Sequence, residues 1–439
     1  MHYQHMTPIQ AKSLPEILQG KDLLAQAKTG SGKTATFAIG LLQVLDSQLY
    51  QVQSLILCPT RELADQVSKE IRQLARAIPN TKILTLCGGT PMQPQLASLE
   101  HQPHIVVGTP GRILKHLKKE TLHLKHLTTL VLDEADRMLD MGFHDDIMSI
   151  IKKTPHKRQT LLFSATYPAA ITQISKSIQT DPVDIRVEST HENQQLKQIF
   201  YEASKGQKFQ ALVSLLHYYH PESCVIFCNR KQLCNELAND LRQQGFHARA
   251  LHGDLEQKER DQVITQFSNK SCPILIATDV AARGLDIKEL GAVINFDLSP
   301  DPEIHIHRIG RTGRAGMKGL ALSLFIAPER FRVDAIEEYQ KAPVTCENIA
   351  TLRIKNNTKS IPPMVTICVK GGRKDKVRPG DILGALTANT HLTGKQIGKI
   401  DIFDKVAYIA VDRSIANQAL DILTKGKIKG RKFGAYILD

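Results

Sequence analysis

Short apolar runs of about five residues recur along the chain, and between them lie longer stretches whose apolar residues return every third or fourth position. The first series predicts strands at residues 22–27, 54–58, 82–87, 104–108, 129–133 and 160–164, separated by helical patterns such as 33–45 and 61–75. A second series opens near Gln194, with strands at 198–202, 223–228, 248–251, 273–277, 292–296 and 321–325. Runs that are apolar at consecutive positions suit strands buried on both faces, and a helix between successive strands supplies the crossover that parallel pairing requires. Each series therefore predicts an α/β layer structure, an open parallel sheet with helices on both faces. The passage 181–195 is polar, carries a proline and sustains no period, so it reads as the connection, with the linker proper at 188–195.

The pattern changes near the end. Residues 351–363 make a polar connector closed by Pro362 and Pro363. After it come a strand (364–370), a helix (379–388), two strands (398–403 and 406–411), a helix (414–424) and a strand (432–438). That βαββαβ order is the small α+β arrangement used by RNA-recognition motifs. The expected domains are thus 1–187, 196–350 and 364–439.

Composition narrows the class. A hydrophobic content of 42% and a charged content of 23% are those of a globular protein, and runs such as 224–228 are far too short to span a bilayer, so no membrane partner is expected. No apolar signal region follows Met1, which argues against export, and eight cysteines without a framework spacing point to a reduced, cytoplasmic protein. Cys224, Cys228 and Cys234 invite a zinc reading, but strand residues four apart lie about 13 Å from each other, too far to share an ion. The net charge of +13 gains meaning from its location: from Arg353 to the end, 17 Lys and Arg stand against 7 Asp, a balance of +10. Concentrated positive charge is the footprint of a polyanion partner, with a solvated surface as the alternative.

Chemistry is densest at Ala27-Lys28-Thr29-Gly30-Ser31-Gly32-Lys33-Thr34, between a predicted strand and a predicted helix. Glycines there let successive backbone N–H groups turn towards phosphate oxygens. Lys33 is suited to neutralise the β- and γ-phosphates of ATP, and the Thr34 hydroxyl to ligate Mg²⁺. Further on, Asp133-Glu134-Ala135-Asp136 closes the strand at 129–133. Ligands of open α/β sheets sit at the carboxyl ends of strands, so Asp133 is expected to hold Mg²⁺ and Glu134 to orient and deprotonate the attacking water.

These segments together resemble the DEAD-box RNA helicases, and further segments match that family in order over residues 3–345. The resemblance implies two RecA-like domains in tandem, with RNA-stimulated ATP hydrolysis driving local strand separation. Thr7-Pro8-Ile9-Gln10 is similar to the adenine-reading segment, with Gln10 as the base contact; Thr7 suits a helix N-cap and Pro8 the first helical position, which would hold Gln10 rigidly. Arg61, Gly89, Thr109, Gly111 and Arg112 match the RNA-backbone segments of the first half, and Thr278 and Arg283 extend that track in the second. Ser164 and Thr166 match the segment coupling hydrolysis to strand separation, and Gly284 and Asp286 the nucleotide contacts, with Asp286 on the ribose. Arg311 and Arg314, three apart on an expected helix, match arginine fingers that reach the γ-phosphate. Little in these segments is aromatic, so the backbone rather than the bases is expected to be gripped. Family members carry an aromatic well upstream of the Thr7 segment; either the start is truncated or adenine stacking is weaker here.

Residues 371–386, 397–400 and 426–430 resemble the tail of the bacterial DbpA branch of that family. The resemblance implies recognition of a hairpin of large-subunit ribosomal RNA and a pre-ribosomal partner, with the tail tethering the motor beside its target, and the protein is expected to be a monomer although the sequence leaves its oligomeric state open. Lys370, Arg373, Lys374, Lys427, Lys429 and Arg431 are the candidate contacts. The strand at 406–411 carries one aromatic, Tyr408, where two are usual, which argues against base stacking across the sheet. An ATP-gated RNA clamp and a DNA translocase are the rival readings; intact Lys33, Glu134 and Arg314 argue against the clamp, and equal stimulation by DNA and RNA would favour the translocase.

Overall fold

The computed structural model of the chain describes residues 5–27, 31–167, 169–187, 196–282, 290–313, 319–352, 361–388 and 391–438. The chain divides into two compact units near residue 190. The first holds β1 (Leu23–Gln26), β2 (Ser54–Leu57), β3 (Ile83–Leu86), β4 (Ile105–Gly108), β5 (Thr129–Leu132), β6 (Gln159–Ser164) and β7 (Val183–Arg186). They form one parallel sheet in the order β3-β4-β2-β5-β6-β1-β7. Alternate side chains serve opposite faces: Ile56, Val107, Val131 and Phe163 enter one core with Phe37 and Val67, while Leu55, Leu57, Val106 and Leu130 enter another with Ile113 and Met138. Each such fully buried side chain contributes about 1.5–3 kcal/mol, which explains why these strands read as unbroken apolar runs.

Strand β7 falls inside the polar passage read as connection. Only Ile185 of its four residues is buried, and Asp184 and Arg186 pair with each other at the surface, so backbone bonding to β1 makes it a strand that hydrophobic patterning does not reveal.

The second unit opens with a parallel sheet of β8 (Leu196–Glu202), β9 (Cys224–Phe227), β10 (Ala248–Leu251), β11 (Ile274–Ala277), β12 (Ala292–Asn295), β13 (Gly319–Phe325) and β14 (Thr345–Asn348). The order is β10-β11-β9-β12-β13-β8-β14. Strand β14 is a second one the apolar pattern misses; it is largely exposed and held by pairing with β8 and by a bond from the Tyr201 hydroxyl to Glu347 Oε2 at 2.9 Å. Of the eight cysteines only Cys346 is exposed, and the buried Cys228 and Cys234 thiols hydrogen-bond each other.

The third sheet is antiparallel: β15 (Met364–Val369), β16 (Ile397–Ile402), β17 (Ala407–Asp412) and β18 (Ala435–Ile437), in the order β16-β17-β15-β18. Helices Pro379–Thr387 and Ala416–Lys425 cover one face, packing Ile382, Leu386, Ala419 and Leu423 on Ile367, Val369, Ile409 and Val411. Thr366, Cys368, Tyr408 and Ala410, on the other face, are buried too. They meet the segment around the helix Gln257–Ser268 of the same unit: Thr366 Oγ1 lies 2.7 Å from Ser271 Oγ, Gln266 Nε2 donates to Leu438 O at 3.4 Å, and the Tyr408 hydroxyl bonds Gln262. The face on which bases stack in RNA-recognition motifs is therefore packed against protein. The small domain is thus docked on the second parallel-sheet domain. Among the described residues no helix is long and apolar enough to cross a membrane.

Candidate nucleotide and RNA sites

The predicted chemistry of the first unit gathers at the carboxyl edge of its sheet. Beyond β1, Ser31 and Gly32 lead into the helix Lys33–Gln43; Lys28, Thr29 and Gly30 lie outside the described residues. Gly32 has a φ of +94°, a conformation that favours glycine, and a Cβ there would come within 2.6 Å of Gln10 Nε2 and displace it. Gln10 closes a capping box at the start of the helix Pro8–Leu18: Thr7 N donates to Gln10 Oε1 at 2.9 Å, and Gln10 Nε2 reaches Gly32 O at 3.3 Å. Its amide plane is thereby locked against the phosphate loop. Lys33 is buried and donates from Nζ to Ala27 O at 2.8 Å. Thr34 follows it in the first turn of the same helix.

Asp133 follows β5 and is only 2% exposed. Burial pushes its carboxyl up to about 6, Lys33 pulls it back and Glu134 raises it. Its Oδ1 has no hydrogen-bond partner among the described residues, nor does the buried Ser31 Oγ. A buried carboxylate oxygen without a donor, under the influence of Lys33, fits a small hard cation that takes oxygen ligands.

Glu134 is buried, adopts a left-handed conformation (φ 53°, ψ 53°) rare outside glycine, and pairs with Arg137. Such backbone costs on the order of 1–3 kcal/mol and persists where surroundings impose it. Those surroundings include Asp136, whose Oδ2 accepts from Ala165 N (3.1 Å), Thr166 N (2.9 Å) and Thr166 Oγ1 (2.9 Å). Ser164 Oγ in turn donates to Thr166 O at 2.6 Å. The acidic segment after β5 and the Ser164–Thr166 segment after β6 are thus one hydrogen-bonded body. Asp136 and Arg137 escaped the sequence reading; the signal for Asp136 was its place in the acidic run, but its partners lie some thirty residues on.

The RNA-backbone candidates of the first unit also come together. Gly89 has a φ of +68°, and a Cβ there would come within 1.8 Å of Arg61 Nη2, so this glycine makes room for the guanidinium. Gly88 N donates to Thr109 Oγ1 at 3.4 Å, and Gly111 follows at the start of the helix Pro110–Lys118. Arg112 donates from Nη1 to Gln95 Oε1 and from Nη2 to Thr90 O, both at 2.9 Å.

In the second unit Thr278 is buried just after β11. Arg308 is spent internally: it binds Asp279 through Nε (2.6 Å) and Nη2 (2.8 Å), Asn295 Oδ1 at 3.2 Å and Asn229 Oδ1 at 2.9 Å. The helix carrying it, Pro302–Ile309, ends before Arg311, which corrects the expectation that Arg311 and Arg314 share a helical face. Gly310 caps the helix, and Gly313 turns the chain with a φ of +71°. Arg283, Gly284, Asp286 and Arg314 lie outside the described residues.

On the C-terminal domain the candidate cations are exposed, and two loops bearing them converge. Lys429 Nζ donates to Lys376 O at 3.3 Å, Arg373 Nη2 to Ile402 O at 2.9 Å, and Lys374 stands 3.9 Å from Asp404. Lys427 precedes the small turn closed between Ile428 and Arg431. Lys370 lies over the ring of Tyr436, an exposed aromatic on β18 that the sequence reading did not single out.

Residues 7–174 match the DEAD/DEAH box helicase family, residues 207–316 the helicase conserved C-terminal domain and residues 366–436 the DbpA RNA binding domain. The chain is 52% identical over 435 residues to the ATP-dependent RNA helicase DbpA of Escherichia coli (strain K12), covering 98% of this chain and 93% of that protein. It is 45% identical over 329 residues to the DEAD-box ATP-dependent RNA helicase CshA of Bacillus cereus, covering 75% of this chain and 62% of the relative. Among solved structures, S. cerevisiae Dbp5 bound to RNA and ADP BeF3 resembles it with a TM-score of 0.72 at 30% identity, over 79% of this chain and 91% of that one.

Proposed function

The chain belongs to the DEAD-box ATP-dependent RNA helicases, DbpA-like in its C-terminal RNA-binding domain, and from that premise we propose that it remodels structured large-subunit ribosomal RNA during ribosome assembly in the cytoplasm, recognising a hairpin as a monomer. Its RNA-stimulated ATPase and helicase activity follows from the family. The finer reading rests chiefly on one observation: similarity to the DbpA relative runs through the basic domain, where two cation-bearing loops converge on an exposed surface. Its domains are 1–187, 196–350 and 364–439, joined by 188–195 and 351–363.

In this mechanism the phosphate loop from Ala27 to Thr34 cradles ATP, and Lys33 exchanges its bond to Ala27 O for the β- and γ-phosphates. Gln10 presents its amide to adenine, and Gly284 and Asp286 serve the nucleotide. Thr34 and Asp133 would hold Mg²⁺, which when bound neutralises phosphate charge. Glu134 leaves Arg137 to orient the attacking water and accept its proton. Arg311 and Arg314 stabilise the charge that develops on the transferred phosphate. Asp136 transmits the state of the acidic segment to Ser164 and Thr166, while Arg61, Gly89, Thr109, Gly111, Arg112, Thr278 and Arg283 grip the RNA backbone. Lys370, Arg373, Lys374, Lys427, Lys429 and Arg431 supply the recognition surface.

ATPase rates with a large-subunit ribosomal RNA hairpin fragment, an unrelated RNA and single-stranded DNA test the reading. The fragment should stimulate at the lowest concentration, and combined Lys427→Glu, Lys429→Glu and Arg431→Glu substitutions should erase that advantage. Equal stimulation by all three nucleic acids would overturn the ribosomal assignment.

A further inference from the structure

We propose that Gln95 and His116 are positioning residues that fix the Arg112 guanidinium in its RNA-binding orientation before RNA arrives; the inference rests on the reading of Arg112 as an RNA-backbone contact. The observation that carries it is a closed hydrogen-bond circuit beside the carboxyl ends of β3 and β4. Gln95 Nε2 donates to Cys87 O at 3.1 Å and to Thr90 Oγ1 at 2.6 Å, and the Thr90 hydroxyl donates onward to Cys87 O at 3.0 Å. A carbonyl cannot donate and the threonine proton is already given away, so the amide nitrogen must face these groups. Gln95 Oε1 then points the other way, where it accepts from Arg112 Nη1 and lies 2.9 Å from His116 Nε2.

That oxygen carries no proton, so His116 donates to it from Nε2; in the neutral ring Nδ1 is then an acceptor, 2.9 Å from the Thr121 hydroxyl, which is also placed to donate to His116 O at 3.2 Å. Burial, followed by the charges of Arg112 and Lys119, lowers the His116 pKa and favours the same neutral form. The direction of each bond is thereby determined from His116 through Gln95 to Arg112. Gln95 and His116 are both buried, and neither belongs to the segments that touch ATP.

Arg112 needs such support. Burial and the nearby Arg61 cation both act against its charge, and an unanchored side chain would swing towards water. The bonds to Gln95 and Thr90 engage two of the five N–H groups of the guanidinium and set the plane in which the others point. A long side chain ordered in advance loses less freedom when phosphate binds, an advantage on the order of tenfold in affinity.

The test uses the full chain, with RNA-stimulated ATPase and with binding of labelled oligouridylate in ADP and beryllium fluoride. Gln95→Leu should raise the KM for RNA about tenfold and leave kcat at saturating RNA within about twofold. His116→Phe should raise that KM about threefold, and His116→Gln, whose amide nitrogen can take the place of ring Nε2, should return it to within about twofold of the parent. In an Arg112→Ala background Gln95→Leu should add nothing, because its effect passes through that guanidinium. Three outcomes overturn the positioning role: an unchanged KM for Gln95→Leu where Arg112→Ala raises it, additive losses in the double variant, or no rescue by His116→Gln. If Arg112→Ala itself leaves KM unchanged, the RNA-contact reading of Arg112 falls, and this inference with it.

Discussion

The carboxyl edge of the first sheet and the basic loops of the C-terminal domain both carry charge suited to a phosphate-bearing partner, and they hold it in opposite ways. At the sheet edge Lys33, Asp133, Glu134, Asp136 and Arg137 are all buried, and bonds such as those of Asp136 to Ala165 and Thr166 tie one loop to the next. In the C-terminal domain Lys370, Arg373, Lys374, Lys427, Lys429 and Arg431 are exposed, and the bonds seen for them go to carbonyl oxygens or to a carboxylate 3.9 Å away. Desolvated charge acts strongly and at one geometry; exposed charge acts as a field that salt screens within about 8–10 Å. Substitutions in the first region should therefore abolish a step, and those in the second should grade an affinity.

The sharpest test of the first half is Glu134→Gln. The amide oxygen can still accept from Arg137 and the shape is kept, so affinity for ADP and RNA should survive within a few-fold. Hydrolysis should fall on the order of a hundredfold or more, because the group that accepts the water proton is gone. Turnover close to that of the parent, in single-turnover phosphate release, would remove Glu134 from the mechanism.

Burial also sets the pH response of the second unit. His305 is packed on Phe200 and meets Gln198 Nε2 through ring Nε2 at 3.1 Å. Burial and, after it, the Arg308 charge push its pKa from 6.5 to about 3. Between those values the unfolded chain takes up a proton that the folded chain refuses, so stability is full above about pH 6.5 and is lost as pH falls through the window. The slope from this one ring is about 1.4 kcal/mol per pH unit. Urea unfolding of the parent and of His305→Gln between neutral and acid pH isolates it as a difference. Parallel curves for the two proteins would show that the ring is not held neutral.

How much of this was legible depended on whether the signal was local. The setting of Gly32 and Lys33 between a strand and a helix was legible because the motif residues follow one another closely, and the acidic run because it ends an apolar strand. Strands β7 and β14 were not, since main-chain pairing holds them and their side chains bury little. Arg311 was expected on a helix because spacing alone was weighed, whereas the helix ends at Ile309. Asp136 and Gln95 act through partners distant in sequence, Thr166 and Arg112, which no spacing rule connects. Tyr408 was legible in part: a lone aromatic on its strand argued against base stacking, and the ring is buried against the protein itself.

The smallest expected effect tests the other half of the comparison. Lys429 extends from a backbone in the left-handed region (φ 52°) and its one described bond, to Lys376 O, is 3.3 Å long. If it acts as part of a field, Lys429→Ala should weaken binding of an rRNA hairpin only a few-fold at physiological salt, and should reduce the slope of log affinity against log salt by about one. The fold should be unaffected, since the side chain is exposed. A loss of a hundredfold with an unchanged salt slope would mean that Lys429 is instead anchored at one defined contact. The basic loops would then work by fixed geometry, as the nucleotide edge does, and the contrast between the two regions would disappear.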